Sequence, residues 1–253
     1  MAEYSGPRIP FVMPPVDGDA LADWFEAEYP DEFCASQSFE PDFVEAFCAS
    51  GFITMAMCDE GEYLIPKLHV IRSVMVPGDF VLTRTARRES SRYSLALDTN
   101  FPEVLDACVA THGEDWLRPP LRQAWLELFA SRRRRRCRFS SMELRRGTLL
   151  VAGEIGVFAG SCYTSLTGFR RESGAGTVQL AATAGYLRAV GVTLWDLGMP
   201  LDYKATMGAH NVSRAAFLSL FRAARETPSR LPSPPLPVGP FPARELVDGI
   251  TSP

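Results

Sequence analysis

The sequence predicts an α+β fold, in which a mixed sheet flanked by helices forms the C-terminal half and a smaller α/β domain precedes it. Strand-like runs separated by short turns predict an antiparallel meander over 137–144, 148–158 and 161–167. A long segment with one apolar face, 176–190, ends at Gly191 and predicts a helix that packs on this sheet. The apolar run 192–197 then predicts a buried strand, and Ser213 is placed to cap a last helix.

The N-terminal half shows shorter signals. Apolar residues at helical spacing predict helices over 19–29, 41–50, 101–111 and 121–132. Runs rich in β-forming residues predict strands over 63–68 and 80–85. We therefore expect four units: an extended arm (1–20), a small α/β domain (21–95), a larger domain with the main sheet (96–226) and a proline-rich tail (227–253). Seven prolines between Pro228 and Pro242 predict that the tail forms neither a helix nor a sheet ladder.

Composition excludes several classes of protein. The chain has 253 residues, 46% of them hydrophobic, and a net charge of −4, as expected for a globular protein with a substantial core. It shows no uninterrupted apolar stretch of membrane-spanning length and no signal-peptide pattern at its start, so we expect a cytoplasmic protein without a membrane partner. The six cysteines include no C-x-x-C pair, which predicts reduced thiols and no metal site.

Positive charge is concentrated in one place despite the negative total. Of the 26 basic residues all but two are arginine, and five of them are consecutive from 132 to 136. Such a cluster favours a phosphate backbone whatever the net charge of the protein. The alternative is a solvated helix end, where cations stabilise the negative end of the helix dipole.

Several motifs, taken in chain order, resemble one family. They are LHVIRS at 68–73, the segment 98–129, GEIGVFAGSCYTSLTGF at 153–169, LWDLG at 194–198 and MGAHNVSRAAF at 207–217. In their order and spacing these motifs are similar to those of the leucyl/phenylalanyl-tRNA-protein transferases. The resemblance implies a C-terminal domain with the fold of the GCN5-related N-acetyltransferases. It also implies transfer of an aminoacyl group from tRNA to the N-terminal amine of a protein, a step in N-degron protein degradation.

The resemblance also implies roles for individual residues. Asp196 matches the family's strand-end aspartate and is the candidate catalytic residue. The candidate substrate pocket consists of Leu166, Gly168, Phe169, Leu187 and Gly198. Three of these depart from the family pattern: Gly198 stands where the family has a catalytic Gln, Leu166 where it has Glu, and Gly168 where it has Met. We expect a monomer whose partners are aminoacyl-tRNA and protein N-termini, with no cofactor beyond the aminoacyl-tRNA co-substrate and no metal.

Aromatic and basic residues near 116–136 are the candidates for contacting tRNA. Trp116 and Trp125 could stack on the terminal adenine, an interaction worth about 1–3 kcal/mol per base, or could pack in the core. The arginines that follow could hold acceptor-stem phosphates: Arg132, Arg133, Arg134, Arg135 and Arg136.

A second enzymatic hypothesis rests on a glycine loop. Arg171, Gly174 and Gly176 lie between a predicted strand and a predicted helix, where backbone amides and the helix dipole favour a diphosphate. This pattern resembles the coenzyme A loop of N-acetyltransferases, so an acyl-CoA-dependent N-acyltransferase is an alternative. A third hypothesis is a catalytically inactive protein that binds tRNA ends or protein N-termini on the same fold.

Overall fold

A computed structural model describes residues 9–131, 135–231 and 238–250. Its helices are α1 (Gly18–Ala27), α2 (Pro41–Cys48), α3 (Arg84–Glu89), α4 (Phe101–His112), α5 (Pro119–Ser131), α6 (Ala175–Ala189), α7 (Asp202–Thr206), α8 (Arg214–Glu226) and α9 (Ala243–Ile250). Its strands are β1 (Ile53–Cys58), β2 (Glu62–Lys67), β3 (Ile71–Met75), β4 (Ser94–Leu97), β5 (Arg138–Arg146), β6 (Leu149–Ala159), β7 (Cys162–Arg170), β8 (Leu194–Asp196), β9 (His210–Ser213) and β10 (Val238–Pro242).

An eight-stranded mixed sheet forms the centre of the molecule. Its strand order is β10-β4-β5-β6-β7-β8-β3-β9, and β1 pairs separately with β2. All neighbours in the large sheet are antiparallel except β7 and β8, which are parallel because α6 connects them as a crossover helix. The predicted α+β class with a mixed sheet flanked by helices is confirmed.

The core consists of two apolar clusters on opposite faces of this sheet. Adjacent residues of β6 show the alternation, since Val157 belongs to one cluster and Phe158 to the other. The first cluster packs helices α1, α2, α4, α5 and α8 against the sheet, and the second packs α6 and α9. At the contact between α6 and α9, a Cβ on Gly185 would lie 2.1 Å from the carbonyl oxygen of Leu246, so only glycine permits this approach.

Most predicted elements of the C-terminal half are confirmed. The meander corresponds to β5, β6 and β7, and Ser213 caps α8 by accepting a hydrogen bond from the amide of Ala216. The predicted strand at 80–85 is corrected by the structure. Thr83 accepts a hydrogen bond from the amide of Ala86 and so starts helix α3 within that segment.

The proline-rich tail also requires a correction, because part of it pairs and part of it is helical. Strand β10 adds to the sheet edge beside β4, with Val238 opposite Leu97 and Phe241 opposite Leu95. An edge strand tolerates prolines, since only one of its sides needs donors. The large sheet also takes β3 from before residue 96, and β4 itself crosses that position, so the sheet contains strands from both sides of the predicted domain boundary. Within the described ranges, no helix is long and apolar enough to span a membrane.

Candidate active site

The parallel pair β7 and β8 separates at one end and leaves a cleft. Pairing runs from Cys162–Leu194 to Thr164–Asp196 and then stops. The residues that follow in each strand line a cleft of about 800 Å³. A cleft at the carboxyl ends of parallel strands is a common position for ligand sites in α/β proteins.

Four of the five predicted pocket residues line this cleft: Leu166, Gly168, Phe169 and Gly198. Leu166 lies at a bulge in β7, because the register with β6 shifts between Ile155 and Gly156. For the fifth residue, Leu187, the pocket prediction is corrected. Its side chain is fully buried in the apolar cluster around α6 and does not line the cleft.

Asp196 does not face the cleft. Its side chain is fully buried, and its two oxygens accept hydrogen bonds of 2.8 and 2.7 Å from the Arg72 guanidinium. One of these oxygens also accepts the amide of Gly198 at 2.9 Å. This corrects the prediction of Asp196 as the catalytic residue: the carboxylate is enclosed and instead positions Arg72 and the turn at Gly198.

Arg72 connects this buried pair to the cleft through His69. The guanidinium Nη1 lies 2.7 Å from Nδ1 of His69, and Nη2 donates to the carbonyl of Gly51 at 3.0 Å. Burial, together with the charge of Arg72, lowers the pKa of His69 to about 3. A neutral imidazole therefore lines the cleft. Sequence reasoning assigned His69 and Arg72 no site role, although both belong to the LHVIRS motif.

Lys204 is a second cleft residue that sequence reasoning missed. Its ammonium donates to the carbonyl oxygens of Leu197 and Met199, which flank Gly198 in sequence. Burial lowers the pKa of Lys204 to about 8, and the positive charge of Arg72 adds to this shift. Two carbonyls use two of the three ammonium protons, so one proton is left for a ligand. Lys204 thus brings a cation to the cleft beside the position where the side chain of Gly198 is missing.

Glu154 places a carboxyl group in the same cleft. It is only 4% exposed and accepts hydrogen bonds of 3.1 Å from the hydroxyls of Tyr163 and Ser165. Burial raises its pKa to about 7, against the lowering effect of hydrogen bonds from Ser165, Tyr163 and Gln179. The signal in the sequence was an acidic residue inside an otherwise apolar strand.

The predicted tRNA-contacting residues lie in different surroundings. Trp116 is half-buried and lines the cleft, so one of its faces is available there. Trp125 corrects the prediction, because it is fully buried and has no exposed face on which a base could stack. Arg135 forms ion pairs with Asp42 and Glu45, whereas Arg136 is exposed. The predictions for Arg132, Arg133 and Arg134 lie outside the described residues.

The glycine loop, residues 171–176, ends at the cleft. Gly174 precedes α6 with a φ of +81°, and Gly176 lines the cleft. Arg171 donates to the carbonyl of Leu150 at 3.0 Å and lies 5.3 Å from the ring centre of Phe169. Phosphate binding by this loop stays a prediction. In the part of the chain that the structure describes, no cluster of His, Cys, Asp and Glu side chains is arranged to hold a metal ion.

Comparison with known proteins identifies the family. The family model for leucyl/phenylalanyl-tRNA protein transferase matches residues 74–222, which is more than half of the chain and includes both strands that frame the cleft. The chain belongs to this family. The residues that this family model matches thus include β7, α6, β8 and α7 around the cleft.

Individual relatives agree with the family assignment. The chain is 30% identical over 163 residues to a leucyl/phenylalanyl-tRNA–protein transferase of Pseudomonas putida, covering 62% of this chain and 70% of that protein. It is 27% identical over 198 residues to one of Roseobacter denitrificans, covering 78% and 91%. Among solved structures, a DUF2156 C-terminal domain from Agrobacterium fabrum matches with a TM-score of 0.36 and 13% identity, over 77% of this chain and 61% of that one. That likeness is too low to bear on the fold or the site.

Proposed function

We propose that this protein transfers an aminoacyl group from the 3′ end of a tRNA to the N-terminal amine of a protein. The proposal rests on one observation: the residues that the family model matches include the two strands, β7 and β8, that separate to form the cleft. The co-substrate is aminoacyl-tRNA and the acceptor is a protein N-terminus. Transfer of this kind marks proteins for N-degron degradation in the cytoplasm, and we propose that setting for this chain.

The chemistry is aminolysis of an activated ester. The acceptor amine attacks the ester carbonyl carbon, a C–N bond forms and the bond to the ribose oxygen breaks. The amine loses a proton and the ribose oxygen gains one, so no redox partner or covalent enzyme intermediate is needed. The protein has to align the two reactants and stabilise the negative charge that develops on the carbonyl oxygen.

Lys204 is our candidate for the stabilising donor. Its ammonium is fixed by the carbonyls of Leu197 and Met199 and lines the cleft beside Gly198, where the resemblance placed a missing glutamine. A preorganised cation in the cleft needs no reorganisation during the reaction. Lys204 therefore supplies a hydrogen-bond donor near Gly198, which has no side chain to supply one. Trp116 is our candidate for stacking on the terminal base, because it lines the same cleft and is half-buried.

The proposal is tested by supplying charged tRNA and peptides that begin with Arg, Lys or Met. We expect peptide extension by one residue in the wild type, detected by mass spectrometry. Lys204→Met should lower kcat about 10²- to 10³-fold, as the loss of one oxyanion donor does, with little change in KM. Arg88→Met is the matched control, because Arg88 is an exposed cation that pairs with the neighbouring Glu89. No extension with any charged tRNA would overturn the proposal.

The pH profile separates catalysis by Lys204 from a structural role. Because its pKa is lowered to about 8, the ammonium donor is lost as the pH rises through about 8. The wild-type rate should therefore fall above that pH, and the small residual rate of Lys204→Met should not. An unchanged melting temperature in Lys204→Met is the accompanying control for folding.

A coenzyme A-dependent acyltransferase is the second candidate. The observation in its favour is the left-handed Gly174 at the start of α6, followed by a second glycine that lines the cleft. Acetyl-CoA and the same peptides form the second arm of the experiment. Acylation without tRNA would replace the proposed function with this one. Salt-sensitive tRNA binding without any transfer would instead indicate an inactive binding protein.

A further inference from the structure

We infer that the cleft accepts an aminoacyl side chain that ends in a cation, an amine or a guanidinium, and that Glu154 is the residue that selects it. The inference rests on the proposed function, since it names the class of amino acid that this site transfers. It departs from the leucine and phenylalanine of the family name. The inference is supported by the carboxyl group of Glu154 and its polar neighbours in the cleft.

The polar groups around Glu154 form a connected network. Tyr163 and Ser165 each donate to one carboxyl oxygen at 3.1 Å. Ser165 in turn accepts the indole N–H of Trp195 at 2.9 Å, which directs its own hydroxyl proton towards Glu154. Gln179, which lines the cleft, donates a hydrogen bond of 2.9 Å to the Thr183 hydroxyl and lowers the pKa of Glu154. This network holds the carboxyl group of Glu154 in a fixed position.

The network leaves the carboxylate with unused acceptor capacity. Its two oxygens offer about four acceptor sites, and the hydroxyls of Tyr163 and Ser165 each occupy one of them. Over residues 9–131, 135–231 and 238–250, no ion pair to Glu154 is found, and its pKa is raised because burial leaves the charge without a counterion. A ligand that brings a cation supplies both the missing donor and the missing charge.

The other walls suit the stem of a long side chain. Leu166, Phe169, Leu180 and Met207 line the cleft with apolar surface. Lysine and arginine carry three methylene groups or more before their charged ends, and such stems pack well on apolar surface. A cleft of about 800 Å³ has room for such a group together with the terminal ribose and base.

An apolar aminoacyl group fits this cleft poorly. Leucine or phenylalanine would cover the Glu154 carboxylate without bringing a counterion, and a buried charge without a counterion is strongly unfavourable. Sites built to bind a polar substrate group reject analogues that lack it by about 10⁴-fold. Because a partly open cleft admits some water, we expect a smaller discrimination of about 100-fold.

Two matched ligands test this directly. We would measure binding of non-hydrolysable adenosines that carry a 3′-amide-linked lysine or norleucine, which have the same four-carbon side chain and differ by an ammonium group in place of a terminal hydrogen atom. The wild type should bind the lysyl compound about 100-fold more tightly than the norleucyl one. Glu154→Gln should reduce this ratio below tenfold, and Glu154→Leu should favour the norleucyl, leucyl and phenylalanyl compounds. Glu127→Gln, an exposed acid on α5, should leave the ratio unchanged.

The outcomes distinguish failure of this inference from failure of the proposed function. Equal binding of lysyl and norleucyl compounds, no binding of either, or a ratio unaffected by Glu154→Gln would overturn the inference. In parallel, transfer is measured with tRNA charged with all amino acids. Transfer of leucine or phenylalanine in preference to lysine and arginine would sustain the proposed function and sink the inference. Absence of all transfer would sink the proposed function, while the binding ratio would still decide the role of Glu154 in the cleft.

Discussion

Arg72 and Asp196 form a two-bonded ion pair in which both side chains are fully buried, although 124 residues separate them in the chain. The pair joins β3 to β8 next to the cleft, and Arg72 lies 4.4 Å from the ring centre of Phe217 on α8. A buried charge that loses its partner is strongly destabilising, because the remaining ion has neither water nor a counterion. The strand-end aspartate therefore maintains the framework of the site.

We predict that Asp196→Ala lowers the free energy of unfolding by about 3–5 kcal/mol, because it leaves Arg72 charged and unpaired in the core. Urea denaturation followed by fluorescence measures this change. Asp59→Ala, at an exposed turn, is the control and should change stability by less than about 0.5 kcal/mol. Adding Arg72→Met to Asp196→Ala should cost less than the sum of the two single changes. Full additivity would contradict the coupling.

His69 should be a neutral imidazole with its proton on Nε2. Arginine only donates, so the 2.7 Å contact from Arg72 requires Nδ1 of His69 to be the acceptor. Burial holds its pKa near 3, so no titration is expected between pH 5 and pH 8. Nitrogen-15 NMR of the imidazole distinguishes the two tautomers, and exposed His210 offers a comparison in the same sample. A proton on Nδ1, or protonation above pH 5, would contradict the geometry.

The sequence predicted the frame of the site better than its charged groups. Strands β7 and β8 produce local signals, and Leu166, Gly168, Phe169 and Gly198 from the motifs that carried the resemblance line one cleft. Trp125 takes the core-packing alternative that the sequence left open, and Leu187, a pocket residue by the resemblance, also lies in the core. Both are apolar residues of helices, and periodicity alone does not tell whether a helical face meets the core or a cleft.

Glu154, Lys204 and the Arg72–Asp196 pair could not be read from periodicity, because their environment is created by contacts between distant segments. Glu154 is buried when β7 and α6 cover it, and Lys204 is held by carbonyls that follow β8. Local propensity contains no information on either contact. An acidic residue within an apolar strand is the one signal in the sequence that would have drawn attention to Glu154.

Gly198 should resist substitution for a reason separate from catalysis. Its φ is +75°, a left-handed conformation that costs other residues about 1–2 kcal/mol, and an added Cβ would lie 3.2 Å from the end of the Ile53 side chain. We expect Gly198→Ala to lower the free energy of unfolding by about that amount in thermal or urea denaturation. Gly61→Ala is the control, since Gly61 has no positive φ and its nearest neighbour would be 3.8 Å away. Equal stability of the two variants would contradict the prediction.

Glu154 should make the stability of the protein depend on pH. Its pKa rises from 4.5 in the unfolded chain to about 7 in the folded protein, chiefly through burial. A raised pKa means that the folded state holds its proton more tightly, so this stabilisation is fully present below about pH 4.5 and is lost as the pH rises through about 7. At about 1.4 kcal/mol per pH unit, the whole shift corresponds to about 3 kcal/mol. The uncharged amide of Glu154→Gln cannot titrate, so we expect this variant to gain stability relative to the wild type between pH 4.5 and pH 7.5. Urea denaturation of both proteins at several pH values measures the difference, and a constant difference across that range would contradict the burial of an ionisable carboxyl group in the cleft.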